Sequence, residues 1–200
     1  LEPPGVLGRT GESWILNTSC IRLPHCEGLF PIPEPDASEM DEARHSISTT
    51  VLRDTREQRP WTFDKCGVET RDVTLSTGDY AIPADCTHDP ESDTYDPRFA
   101  VERKSGHDFL TALTWERNRF TSELRRAAEW SQPIAVVVET SWQTLLRNHG
   151  CMVWRDIHPN QIVGTLSAWT DHYNVAFHFA ESRRQAELCA YLLLVHHNLI

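Results

Sequence analysis

No two cysteines in this chain of 200 residues are spaced C-x-x-C. The six present (Cys20, Cys26, Cys66, Cys86, Cys151 and Cys189) are scattered, which excludes a zinc ribbon or a dense disulfide framework and suits a reducing, intracellular setting. No apolar run approaches the ~18 residues of a membrane-spanning helix, so no membrane partner is expected. The first residues lack the basic-then-apolar order of a secretory signal. A glycine-rich loop that could cradle phosphates is also missing. Positive charge is scarce, with 19 Lys and Arg against 29 Asp and Glu. A net charge of −10 taken alone opposes a nucleic-acid partner.

What is present changes that picture. Hydrophobic residues at 40% and charged residues at 24% fit a single folded domain of mixed composition. The charge is unevenly placed. Residues 1–50 hold eight acids and three bases, and residues 85–97 hold five acids and no base. Residues 98–126 hold seven bases against four acids, a local excess that can steer a polyanion despite the overall charge.

Residues 1–47 read as a loosely ordered, proline-rich acidic arm, because Pro3, Pro4, Pro24, Pro31, Pro33 and Pro35 interrupt any period. The remainder, 48–200, reads as one α/β domain. Strands are expected over 48–54, 70–76, 80–82, 98–104, 134–139 and 175–179. Helices are expected over about 106–130, 142–148, 161–173 and 182–197, and 83–97 reads as an acidic loop. Strands first, then strands alternating with helices, imply a mixed β-sheet core flanked by helices.

Three fragments can carry chemistry: Asp54-Thr55-Arg56-Glu57, Gly78-Asp79, and Glu102-Arg103-Lys104 followed by Asp108. Residues two apart on a strand share a face, so Glu102 and Lys104 project together and Arg103 points away. If the strand after Gly78-Asp79 pairs with the one holding Glu102, the two carboxylates converge. Two unit charges ~4 Å apart repel by roughly 4 kcal/mol at an effective dielectric near 20. A hard divalent cation, Mg²⁺ or Mn²⁺, relieves that cost. Such an ion with a neighbouring lysine is what phosphodiester hydrolysis requires.

The ordered pattern Gly78-Asp79…Glu102-Arg103-Lys104…Asp108 resembles the signature of the XPF-type structure-specific endonucleases, members of the restriction-endonuclease-like superfamily. Val51–Glu57 resembles that family's first strand and its D-x-R-E. Arg119-Phe120-x-x-Glu123 resembles its Gly-Arg-Leu-x-x-Gln region, with Asn118 and Glu123 in place of Gly and Gln. The likeness runs over about 49–197. It implies a metal-dependent DNA endonuclease acting on branched or structured DNA in repair, recombination or phage DNA processing. Asp79 and Glu102 would be the principal metal ligands, Asp54 a further acidic member, Asp108 the weakest ligand candidate, and Lys104 the electrostatic, water-orienting residue. Arg56 and Glu57 would support the site. Arg103, Arg119 and Arg126 form the candidate DNA-binding set, the last two sharing a helix face with Trp115. The larger members continue into helix-hairpin-helix modules, and this chain resembles the compact bacterial and phage domains without them. The setting is cytoplasmic in a bacterium or phage, nuclear in a eukaryote.

Simpler readings stand beside these. Ser105-Gly106-His107-Asp108 fits the S-x-x-D start of a helix, so Asp108 can serve the helix end. Arg56 and Glu57 can pair with each other. A non-catalytic DNA-binding subunit is the alternative function, opposed by the intact Asp79, Glu102 and Lys104. Finally, residues 186–195 are apolar almost all round, more than one sheet-facing stripe requires. Since the resembled family pairs its nuclease domains, a homodimer with Leu192–Val195 near its axis is expected.

Overall fold

The computed structural model describes residues 50–147 and 157–196, and the expected arm at 1–47 lies outside them. Eight strands form one sheet: β1 (Thr50–Asp54), β2 (Glu69–Leu75), β3 (Tyr80–Ala81), β4 (Cys86–Asp89), β5 (Thr94–Pro97), β6 (Val101–Ser105), β7 (Ile134–Glu139) and β8 (Val175–Phe179). Their spatial order is β4-β5-β2-β1-β3-β6-β7-β8. β1 runs parallel to β2 and antiparallel to β3, while β6, β7 and β8 are parallel. Among the described residues five α-helices cover the sheet: α1 (Gly106–Leu113), α2 (Arg117–Arg126), α3 (Trp142–Arg147), α4 (Pro159–His172) and α5 (Arg183–His196). This is the expected mixed sheet flanked by helices. None of the described helices is long and apolar enough to cross a membrane.

The two faces of the sheet follow from alternation. In β7, Ile134, Val136 and Val138 join the core under α1, α2 and α4, whereas Ala135 and Val137 join the core under α5. A run buried on both faces must be apolar throughout, which is why Ile134–Val138 carries no polar side chain. The core under α5 is anchored by Trp61 stacked on Tyr80, with ring centroids 5.0 Å apart, and by Phe63 edge-on to both.

Two expectations are corrected. Residues 83–97 are not a loop. After a short 3-10 turn at Pro83–Asp85 they form the hairpin β4–β5, and β5 adds in parallel to β2. Tyr95 supplies the reason: it packs with Leu52 and Leu75 and stacks on His88, while most of the acids stay exposed. The single helix expected over 106–130 is broken at 114–116. Hydroxyls of Thr111 and Thr114 donate to the carbonyls of His107 and Leu110, and the N–H groups of Thr114 and Glu116 both turn back to the Thr111 carbonyl. Such side-chain competition for helix carbonyls bends or ends a helix.

Candidate active site

Asp79 closes a turn that only glycine can make. Gly78 has φ of +80°, and a Cβ there would stand 2.6 Å from Cβ of Ala100. The turn therefore presses onto the residues leading into β6, and Tyr80 pairs with Val101 in antiparallel register. That register sets Asp79 opposite Glu102. The Asp79 backbone is clamped from both sides, its N–H donating to the Val101 carbonyl and its own carbonyl accepting from Asp54, each at 2.9 Å. Its Oδ2 accepts the Arg103 backbone N–H at 2.7 Å.

Glu102 is only 3% exposed. Lys104 donates to its Oε1, while Oε2 is buried with no hydrogen-bond partner among the described residues. A buried carboxylate oxygen left unpaired is costly and calls for a ligand. The Lys104 ammonium also lies over the Phe120 ring, 5.0 Å from its centroid, which places α2 across the site. Burial and the neighbouring Glu102 charge push the Asp79 carboxyl well above the ordinary range, and burial raises Glu102 against the pull of Lys104. Burial pulls the Lys104 ammonium down, but Glu102, Glu123 and Asp79 more than offset it and hold it above its usual value. Two carboxylates held above their ordinary range, one of them with an unpaired buried oxygen, fit a hard divalent cation by the chemistry of the donor set.

The structure does not gather all the expected carboxylates. No group of three or more His, Cys, Asp or Glu side chains is placed to hold a metal ion among the described residues. Asp54 is 2% exposed and fully engaged. Its Oδ1 accepts the Arg56 N–H at 2.8 Å and Nε at 2.7 Å, and its Oδ2 accepts Arg56 Nη2 and the Leu75 N–H, both at 2.8 Å. Asp54 thus locks the ends of β1 and β2 beside the site, and Arg56 pairs with it rather than with Glu57. Asp108 takes the simpler reading as well. Ser105 Oγ accepts the Asp108 N–H at 3.1 Å and donates to its carboxylate at 2.7 Å, which caps α1.

The arginines also divide. Arg103 does point away from Glu102 and Lys104, as strand alternation requires, but it enters the core under α5. There Nε and Nη2 donate to Glu139 at 2.9 and 2.7 Å, and Nη1 donates to Glu57 at 3.3 Å. The guanidinium is therefore buried and paired, on the opposite side of β6 from Glu102 and Lys104. Arg126 donates through Nε to Thr77 Oγ1 at 3.0 Å, tying α2 to the turn that bears Asp79. Arg119 is 73% exposed on the same helix. Sequence reasoning missed Glu139 and Thr77, because neither belongs to a local pattern; only the sheet order brings them to Arg103 and Arg126.

Comparison with known proteins bears on the family and the fold. A family model described as the ERCC4 domain matches residues 53–193. No curated protein matches the chain. XPF from Aeropyrum pernix, in complex with DNA, is 20% identical, with a TM-score of 0.55 over 76% of this chain and 66% of that one. The structure of XPF from Aeropyrum pernix alone gives 20% identity and a TM-score of 0.54, covering 74% and 65%. This chain spans just under two thirds of the length of those structures, and likeness at that identity bears on the fold. The family model, in contrast, takes in the whole Gly78–Asp108 pattern and most of the chain. The chain belongs to the ERCC4 domain family.

Proposed function

We propose that this protein is a Mg²⁺- or Mn²⁺-dependent endonuclease that hydrolyses phosphodiester bonds in branched or otherwise structured DNA, in repair, recombination or phage DNA processing. One observation carries the reading: Asp79, just ahead of β3, lies opposite Glu102 of β6 with Lys104 paired to Glu102, and Glu102 keeps one buried oxygen without a partner among the described residues. Family membership and the DNA bound to the similar XPF structure support the same substrate class.

In this mechanism Asp79 and Glu102 would hold the ion, with Asp54 and Asp108 supporting the frame rather than ligating. When bound, a divalent ion activates water and neutralises charge on the phosphoryl oxygens. The chain's own residues do the rest. Lys104, fixed by Glu102 and by the Phe120 ring, stays charged and faces the charge that builds on the phosphate. Asp79, held by its backbone and by the Arg103 N–H, needs no reorganisation to bind. Arg119 and Arg126 lie on α2 above the site and contact DNA phosphates. The unbridged Cys66 and Cys86 suit action inside the cell.

A homodimer completes the proposal. Leu194 turns into the core, so the outward apolar face of α5 is Leu188 and Leu192, 45% and 43% exposed, one turn apart. The expected axis at Leu192–Val195 accordingly shifts toward the middle of the helix. The deciding assay is cleavage of labelled flap, fork, junction and plain duplex DNA with and without Mg²⁺ or Mn²⁺. Metal-dependent cutting that favours a branched substrate is expected. Tight DNA binding without cleavage in any metal would favour the non-catalytic subunit instead.

A further inference from the structure

The buried polar network on the α5 face of the sheet has no part in the chemistry proposed so far, yet it ends at the active site. Its centre is Glu139, the last residue of β7. Oε1 of Glu139 accepts from Arg103 Nε at 2.9 Å, from Trp61 Nε1 at 2.8 Å and from Arg183 Nη1 at 2.8 Å, and Oε2 accepts from Arg103 Nη2 at 2.7 Å. The Arg103 guanidinium also lies 5.9 Å from the Trp61 ring centroid. Arg183, the first residue of α5, gives its other nitrogen to the carbonyls of Arg59 and Pro60 at 2.7 and 2.6 Å. One turn along α5, Glu187 accepts the N–H groups of Thr62 and Phe63. The start of α5 therefore holds both Glu139 and the segment that follows Glu57.

Two acids, Glu57 and Glu139, face two bases, Arg103 and Arg183, so the cluster is neutral and its geometry is set by directed hydrogen bonds. The same residue that this cluster grips by its side chain grips Asp79 by its backbone, since the Arg103 N–H donates to Asp79 Oδ2. Arg103 is thus held at both ends, its guanidinium by Glu139 and its N–H on the carboxylate opposite Glu102. We propose that Glu139 and Arg183 are positioning residues, which set the place of Asp79 through Arg103 and link α5 to the metal-binding face. This rests on the reading of Asp79 and Glu102 as the ion's ligands. Partners that orient a metal ligand from behind typically alter affinity or activity about 10- to 100-fold when changed.

The test uses the full chain and Arg183→Ala, chosen because Arg183 is half-exposed at a helix start and its loss spares the core. Mn²⁺ affinity is measured by titration calorimetry, and kcat and KM for branched DNA are measured well below the melting temperature. Arg183→Ala and Glu139→Gln should each weaken Mn²⁺ binding and lower kcat about tenfold or more, with KM for DNA within about twofold. Arg183→Lys, which restores one donor, should recover part of both losses. A folded Arg183→Ala protein with lower thermal stability but unchanged Mn²⁺ affinity and kcat would reduce the network to a structural role and overturn the inference. Failure of the unaltered protein to bind Mn²⁺ would instead overturn the ligand assignment, and the inference with it.

Discussion

Gly78 and Ala100 approach so closely that a methyl group on the glycine would lie 2.6 Å from the alanine Cβ. The closeness is what brings the turn carrying Asp79 against β6. With φ at +80°, Gly78→Ala meets both a left-handed backbone cost of about 1–2 kcal/mol and a steric clash. We expect a loss of at least about 2 kcal/mol, equal to a fall of roughly 4–8 °C in melting temperature for a domain this size. Mn²⁺ binding should weaken in parallel. An alanine variant as stable as the parent would mean that the turn can rearrange without cost.

Asp79 and Glu102 should separate by stability as well as by activity. Asp79→Asn removes one of two mutually repelling carboxylates, so cleavage should disappear while thermal stability without divalent ions holds or rises. Glu102→Gln should also abolish cleavage, but it strips the buried Lys104 of its ion-pair partner and so should lower stability. Lys104→Ala should reduce turnover by about 10²–10³-fold if it acts as a preorganised electrostatic stabiliser. Full metal-dependent activity in either carboxylate variant sinks the site assignment.

The raised carboxyl of Asp79 sets the sign of a pH effect. In the unfolded chain it titrates near ~4, and in the folded chain burial and Glu102 hold it higher. Between those two values the folded state binds more protons than the unfolded one. The stability tied to this proton is therefore present below the unfolded value and is lost as pH rises through the folded one. In chelator, the melting temperature should fall more steeply with pH in the parent than in Asp79→Asn, and Mn²⁺ should flatten the parent's slope. Calorimetric melts over a pH series measure this; parallel curves for the two proteins would refute it.

Exposed and buried arginines should behave differently toward DNA. Arg119→Ala should weaken binding across all sequences and reduce the salt dependence by about one unit of slope, as the loss of one phosphate contact does. Arg103→Lys, altered within the network under α5, should leave that slope alone. Fluorescence anisotropy at several salt concentrations distinguishes them. An Arg119 variant with an unchanged slope would remove α2 from the DNA interface.

The outward leucines of α5 carry the assembly prediction. Light scattering at micromolar concentration should find a particle of twice 22.9 kDa, reduced to a single chain by Leu188→Glu with Leu192→Glu. Both side chains are exposed, so the double variant should retain its fold and its Mn²⁺ affinity. A monomeric parent would rule the interface out.

Much was determined by the sequence alone, for local physical reasons. Strand alternation in Val101–Ser105 put Glu102 and Lys104 on one face and Arg103 on the other, and the structure keeps that division. The order of Gly78-Asp79, Glu102-Arg103-Lys104 and Asp108 points to the family without any contact between them. The tertiary structure decided which of those residues meet. Asp54 fits any acidic list, but the parallel pairing of β1 with β2 brings it the Leu75 N–H, and Arg56 takes the rest of its hydrogen-bonding capacity. Arg103 looks like a phosphate-binding base until the sheet order sets Glu139 behind it. The acidic 83–97 segment reads as a loop because its charges outnumber its apolar residues, and only the packing of Tyr95 on Leu52 and Leu75 makes it part of the sheet. Periodicity records which way a side chain points. What it meets there depends on pairing between strands distant in the chain, which no local pattern encodes.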